Sequence, residues 1–402
     1  MTERGHQLSF PELLVNLNKA VNYYPFFQTT DFILFWENFL IALVNNLPVT
    51  LVDSDLNHAE LVGLGIESEI NKSVKISAGE ISSIDKFLEL IKTSESPISL
   101  YTSGTTGQPK CIEHTVSTLT RSVRQSVGKN SDVWGFAYNP THMAGLQVFF
   151  QALFNLNTVI NLFESSKDSI YSLIRENKIT HISATPTFYR LLMPPLGSLN
   201  TVQRVSLGGE KSDIKLIEKL KEIFSEAKIA NIYASTEAGS LFISRGEEFT
   251  VPDDIKKFIG FDNDELLVHK SLIGKSDHLL LENDFYKTGD LVEWVDKEAG
   301  VFKFKSRKNE LINIGGYKVN PSEVEEFIYR ITDVAGVVVF GKSNSVLGNI
   351  LCADIKLYPD ANLTEAYLRQ FLQSHLQDFK IPRRIRFVDE ITLTRTGKLK
   401  RS

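Results

Sequence analysis

Residues 101–110 read Tyr-Thr-Ser-Gly-Thr-Thr-Gly-Gln-Pro-Lys. Six of the ten are Ser, Thr or Gly, and the run ends in a lysine. Hydroxyls and unencumbered backbone N–H groups can fold around a polyphosphate, because glycine allows close approach and φ > 0. Lys110 would add a positive charge. This is not a Walker loop, since Lys110 lies three residues after Gly107 and the Gly-Lys-Ser/Thr ending is missing. Taken alone, such a run is more often a mobile loop. Its meaning depends on what surrounds it.

Working outward, 98–102 reads as a short strand entering the run, and 115–127 as a helix after it. Upstream, residues 8–47 show helix-like apolar spacing (Leu13, Leu14, Leu17, then Phe35, Phe39, Leu40, Leu43) ended by Asn45-Asn46 and Pro48. Residues 49–52 read as a buried strand. Downstream, strand and helix alternate through 158–162, 169–176, 181–184, 202–207, 213–225 and 229–233, the pattern of a parallel α/β architecture. From Glu265 the texture becomes short and β-rich. The stretch from 323 to 388 predicts a compact α+β unit, with the polar pentad 306–310 as the boundary.

The chain has 402 residues, enough for two or three domains with substantial cores. Its 42% hydrophobic and 23% charged content is that of an ordinary globular protein. No signal peptide is visible, and the apolar stretches 32–51 and 145–162 are interrupted by polar residues, so no membrane span or membrane partner is expected. Two cysteines far apart, Cys111 and Cys352, fit a reduced, cytoplasmic chain. A net charge of −5 argues against nucleic-acid binding. The sign is uneven, however: from Lys380 to Ser402 eight Lys/Arg stand against Asp389 and Glu390.

Four further clusters carry candidate chemistry. Tyr233-Ala234-Ser235-Thr236-Glu237 follows a strand, where ligands collect in open α/β sheets. An aromatic there can stack on a base, a threonine can donate to a phosphate, and a carboxylate can hold Mg²⁺. Thr288-Gly289-Asp290 is a good turn, and Asp290 can accept ribose hydroxyls. Residues 306–319 bring Arg307, a fork of donors, and Gly315-Gly316, which lets a backbone or thin ligand pass. Finally Leu393-Thr394-Arg395-Thr396-Gly397-Lys398 places an ammonium on a flexible stem near the chain end. Each cluster alone is more often structural.

Together and in this order, the five resemble the adenylate-forming enzymes: acyl- and aryl-CoA synthetases, nonribosomal peptide synthetase adenylation domains and firefly luciferase. The resemblance runs from about residue 98 to the end. It implies an α/β fold, with a large N-terminal domain of parallel-rich sheets and flanking helices (1–306) and a small mobile α+β C-terminal domain (307–402), hinged near Asn309. It implies an AMP-forming ligase that uses ATP and Mg²⁺ to join a small carboxylic acid to a thiol. The acceptor would be CoA or, alternatively, the phosphopantetheine arm of a carrier protein, with a nucleotide-binding pseudoenzyme as the remaining reading. Carried over by position, Thr102, Ser103, Gly104, Thr105, Thr106, Gly107 and Lys110 look like the ATP and pyrophosphate loop. Gly208, Gly209, Glu210, Asn231 and Tyr233 look like the adenine slot. Thr236 resembles the α-phosphate contact, Glu237 the Mg²⁺ ligand, and Asp290 with Arg307 the ribose-binding pair. Lys398 resembles the lysine that bridges carboxylate and α-phosphate, His142 the residue beside the acyl carboxylate, and Gly315-Gly316 the loop presented to the thiol.

The chain departs from the family pattern in places. Only about 100 residues precede the phosphate loop, so the N-terminal subdomain (about 1–97) is expected to be reduced. The hinge carries Asn309 for Asp or Lys, Asn313 replaces a common lysine, and Leu393 a common proline. Met143, Leu146, Ala184, Phe188 and Ala234 predict a mostly apolar acid pocket.

Overall fold

Parallel strands covered on both faces are largely withdrawn from water, and those between 133 and 208 follow this: His181–Ala184 is buried at all four positions. In the computed structural model, which describes residues 1–3, 5–77, 79–102, 110–126, 128–212, 214–314, 317–344 and 348–393 (Thr102, Asn309 and Asn344 by backbone alone), they form the centre of an eight-stranded sheet. Its order is Gly239–Ser244, Lys228–Ser235, Arg204–Gly208, His181–Ala184, Val133–Phe136, Thr158–Asn161, Thr2–Glu3 and His6–Gln7. All neighbours are parallel except the two outermost pairs. The chain leaves Val133–Phe136 toward one side and returns on the other, which makes the loop after Phe136 a topological switch point, where such sheets bind ligands.

A second sheet runs Phe26–Phe27, Val49–Leu51, Ile98–Thr102 and Lys110–His114, parallel except for the last pair. Residues 103–109 therefore leave the carboxyl edge of Ile98–Thr102, and Asp53 lies just beyond the same edge of Val49–Leu51. One core cluster joins the two sheets through the helices Phe32–Val44 and Met143–Leu153. At its centre Trp36, fully buried, stacks on Phe149 at 3.6 Å between ring centroids. The expected helical region 8–47 resolves into two helices, Phe10–Lys19 and Phe32–Val44.

The helix expected over 115–127 is shorter: it spans Val116–Thr120. Tertiary hydrogen bonds claim the backbone beyond it. Gln151 donates to the Arg124 carbonyl (2.9 Å) and accepts from its N–H (3.0 Å), while Asn155 donates to the same carbonyl (3.1 Å).

Residues 249–307 form an antiparallel sheet over an aromatic cluster around Phe242, Phe249 and Phe302. Beyond Arg307 come the hairpin Ile312–Ile314 with Tyr317–Val319, the helices Pro321–Ile328 and Glu365–Gln373, and the sheet of Val334–Asn344, Gly348–Leu357 and Arg384–Phe387. These enclose a separate core, including Val324, Val337, Ile355 and Leu368. The unit meets the rest through polar contacts: Lys211–Glu326 (2.7 Å), Asn320 Nδ2 on the Lys305 carbonyl (3.0 Å), and the Arg190 guanidinium 4.5 Å from the Tyr329 ring centroid.

Because Trp36 fills the joint between two sheets, Trp36→Ala is expected to lower unfolding free energy by about 3–5 kcal/mol. Guanidinium denaturation checks this; a loss below about 1 kcal/mol would place the joint elsewhere.

Candidate active site

The strand Lys228–Ser235 turns back into Gly239–Ser244 through Thr236, Glu237 and Ala238. Gly239 sits at φ +67°, and the Ala238 N–H donates to Ser235 Oγ at 3.1 Å. The carbonyls of all three turn residues are tied from outside the hairpin. His114 Nε2 lies 2.9 Å from the Thr236 oxygen, the Gly274 N–H donates to the Glu237 oxygen at 2.8 Å, and Arg121 donates to the Ala238 oxygen at 2.5 Å. Among the described residues, neither the Thr236 hydroxyl nor the Glu237 carboxylate is engaged in a hydrogen bond.

A carbonyl only accepts, so His114 must carry its proton on Nε2, leaving the bare Nδ1 3.1 Å from Thr118 Oγ1. Burial pushes the His114 pKa down to about 4, with Arg121 adding to the effect and the Thr236 carbonyl and Glu237 opposing it. The imidazole is therefore neutral at physiological pH.

Asp290 and Arg307 face each other on the paired strands Phe285–Asp296 and Val301–Arg307. Arg307 Nε stands 3.2 Å from Asp290 Oδ1, and the Tyr233 hydroxyl donates to Oδ2 at 2.6 Å. The Tyr233 ring is backed by Phe304, stacked at 4.1 Å. Burial raises the Asp290 carboxyl above its usual value despite the Arg307 charge and the Tyr233 hydrogen bond. Burial opposes the Arg307 charge, but Asp290, Tyr233 and Glu237 outweigh it and raise its pKa. Thr288-Gly289-Asp290 is not a free turn, as its composition predicts, but a bulge inside Phe285–Asp296. Glu265 pairs with Leu291 and Leu267 with Lys287, so the extra residues bow out, with Gly289 at φ +78°. Glu265, buried, holds the bulge: one oxygen accepts the Gly289 N–H (2.9 Å) and the other the Lys308 ammonium (2.6 Å).

Gly208 ends the strand Arg204–Gly208, and a Cβ there would come within 3.2 Å of the Tyr138 hydroxyl. Gly209 follows at φ +82°, a conformation that favours glycine. The Glu210 carboxylate accepts from the N–H and hydroxyl of Thr187 (3.0 and 2.7 Å) at the start of the helix Pro186–Leu191. Asn231, buried, turns its amide to the Gly246 carbonyl at 3.0 Å. Lys110 opens the strand Lys110–His114 opposite Thr102. Ser103, Gly104, Thr105, Thr106, Gly107, Gly315, Gly316 and Lys398 lie outside the described residues.

His142 caps the helix Met143–Leu153 at the switch point without bonding to it through its side chain. Its Nε2 stands 3.3 Å from Asp53 Oδ2, close enough for charge attraction but outside hydrogen-bonding geometry. Asn139 and Thr141 donate to the other Asp53 oxygen at 2.6 and 2.5 Å. Burial alone would raise the Asp53 carboxyl; His142, Thr141 and Asn139 outweigh it and hold it below the ordinary carboxylate value. Asp53, His114, Arg121, Gly274 and Glu265 are site residues that sequence reasoning missed. They belong to no motif and are identified by whom they touch.

Two family models match this chain. The AMP-binding enzyme model matches residues 67–262, and the AMP-binding enzyme C-terminal domain model matches 323–398. The chain belongs to the adenylate-forming, AMP-binding family. Among its relatives are the 2-succinylbenzoate–CoA ligases of Staphylococcus aureus strains MRSA252 and MSSA476, each 27% identical over 329 residues. Those matches take in 75% of this chain and 65% of the relatives' own length. In three dimensions the family member is similar to ATP-bound MatB of Rhodopseudomonas palustris (18% identity, TM-score 0.75, 98% of this chain and 92% of that one). It is also similar to the o-succinylbenzoate CoA synthetase MenE of Bacillus subtilis with its acyl-adenylate OSB-AMP (20%, TM-score 0.73, 98% and 93%). At such identity the likeness establishes the fold.

The depressed His114 pKa makes stability fall with acid. Above about 6.5 neither state takes the proton; between 6.5 and 4 the unfolded chain takes it up and the folded chain does not. The contribution present above 6.5 is thus lost as pH falls toward 4, by about 3 kcal/mol in all. Urea unfolding of His114→Gln across this window should show a shallower pH slope by one proton; an unchanged slope would contradict the assignment.

Proposed function

We propose that this chain is an AMP-forming ligase that activates a carboxylic acid with ATP and passes the acyl group to the thiol of CoA. The observation that carries the reading is the meeting of Glu237, Asp290 and Arg307. They come from separate elements, yet Asp290 meets Arg307 at 3.2 Å and accepts from Tyr233 at 2.6 Å, and the Tyr233 strand runs directly into the turn that carries Glu237. That is the arrangement a nucleotide needs: a ribose grip beside a lone carboxylate. Mg²⁺ in nucleotide sites is commonly held by one or two carboxylates with the phosphates completing its shell, which Glu237 fits.

In this reading Asp290 and Arg307 hold the ribose hydroxyls. Gly208, Gly209, Glu210, Asn231 and Tyr233 border the base, residues 102–107 and Lys110 hold the leaving pyrophosphate, and Thr236 contacts the α-phosphate. The attacking carboxylate and ATP repel each other, so the first step calls for positioning and positive charge rather than proton transfer. Mg²⁺, when bound, supplies part of that charge. Lys398 supplies the rest, bridging carboxylate and α-phosphate, and its closure keeps water from the adenylate. His142, anchored by Asp53, borders the acid. We further propose the division at 306/307, with the C-terminal unit turning at Asn309 to withdraw Lys398 and present Gly315-Gly316 to the thiol. The CoA acceptor is supported by relatives named as CoA ligases, and the apolar residues about His142 support an acyl or aryl acid.

ATP–pyrophosphate exchange over a panel of aliphatic, aryl and amino acids, 2-succinylbenzoate among them, tests this reading. An acid that supports exchange should also yield its CoA thioester. Lys398→Ala should cut exchange at least ~100-fold, about 3 kcal/mol, while a supplied acyl-adenylate is still converted. Silence across the panel, or undiminished exchange in the variant, would overturn the reading.

A further inference from the structure

We propose that His114 and Arg121 are positioning residues that set the geometry of Thr236 and Glu237 by gripping the carbonyls behind them. The inference rests on the adenylating reading above and assigns a role to residues that no motif includes. Three consecutive carbonyls, those of Thr236, Glu237 and Ala238, each receive one donor: His114 Nε2, the Gly274 N–H and Arg121 Nη2. Occupying every carbonyl removes the turn's freedom to rotate its peptide planes, since a rotated plane would leave a carbonyl and a donor unpaired. The side chains that face the ligand are held by a backbone with no slack.

The donors are themselves fixed. Arg121 also donates to the Leu272 carbonyl at 3.1 Å, and the Glu113 and Lys275 backbones exchange two hydrogen bonds at 2.8 Å. The Ser276 hydroxyl donates to the Cys111 carbonyl at 2.6 Å. Residues 272–276 are thus stitched along the strand Lys110–His114. Gly274 lies flat against the imidazole, where a Cβ would meet His114 Cε1 and Nε2 at 2.6 and 2.7 Å. The strand that carries the grip at His114 begins at Lys110, where the phosphate loop ends. The same strand therefore carries Lys110 at one end and the grip on the Thr236 carbonyl at the other.

The test compares His114→Met, which keeps bulk and loses the donor, with His114→Gln, whose amide can donate to the Thr236 carbonyl. Calorimetry measures the ATP Kd with and without Mg²⁺, a readout that needs no acid substrate, and adenosine binding reports the intact ribose site. The factor by which Mg²⁺ tightens ATP should shrink ~5-fold or more in His114→Met and return to near wild type in His114→Gln, with adenosine affinity unchanged in both. Arg121→Met, which loses the donor, against Arg121→Lys, which keeps one, gives the same comparison at the second donor and decides the matter should His114→Met fail to bind adenosine. A wild-type Mg²⁺ factor in His114→Met, or equal losses in Met and Gln, would overturn the proposal while leaving the adenylating reading intact. A wild-type chain that binds no ATP would instead overturn that reading and this one with it.

Discussion

The ion pair between a largely buried carboxylate, Asp290, and the partly exposed Arg307 guanidinium organises one side of this chain. Without the guanidinium, Asp290 would be a poorly solvated carboxylate supported by Tyr233. The ion pair fixes the register of Phe285–Asp296 against Val301–Arg307 at its far end. The bulge that brings Asp290 into line depends in turn on Glu265, whose two oxygens hold the Gly289 N–H and the Lys308 ammonium. Tyr233 is drawn in by its hydroxyl and supported by Phe304. One ion pair thereby ties Tyr233, the bulge at Gly289 and the end of the strand at Arg307 into a single arrangement.

Beyond Arg307 the chain builds a core of its own, and what joins it to the larger part is polar: an ion pair, a cation over a ring and an amide on a carbonyl. Contacts of this kind can be exchanged for water at small free-energy change, unlike a shared apolar core.

Much of this was legible in the sequence because strand–helix alternation and the ordered Ser/Thr/Gly, Thr-Glu, Asp, Arg and Lys clusters are local patterns. What escaped is long-range. Asp53 and His142 are far apart in the chain, as are His114 and Thr236, and their meetings depend on how two sheets and the segment 272–276 lie against one another. The helix over 115–127 was overextended because Gln151 and Asn155, which claim the Arg124 backbone, leave no local trace. Thr-Gly-Asp has turn composition, yet a partner strand converts it into a bulge. Glycine, too, was informative only where the reason is local: Gly209 requires positive φ, whereas Gly274 is required by an imidazole from another sheet.

The contact between Asp53 and His142 has a consequence for redesign. The switch-point loop and the helix Met143–Leu153 look like a self-contained cassette that could be exchanged between family members. Yet the loop's Asn139, Thr141 and His142 all converge on a carboxylate that arrives from the other sheet. A transplanted loop without those groups would strand Asp53 as a buried anion, and the defect would surface as poor folding rather than altered selectivity. The transferable unit is therefore discontinuous: the loop and a single residue nearly ninety positions upstream travel together or not at all.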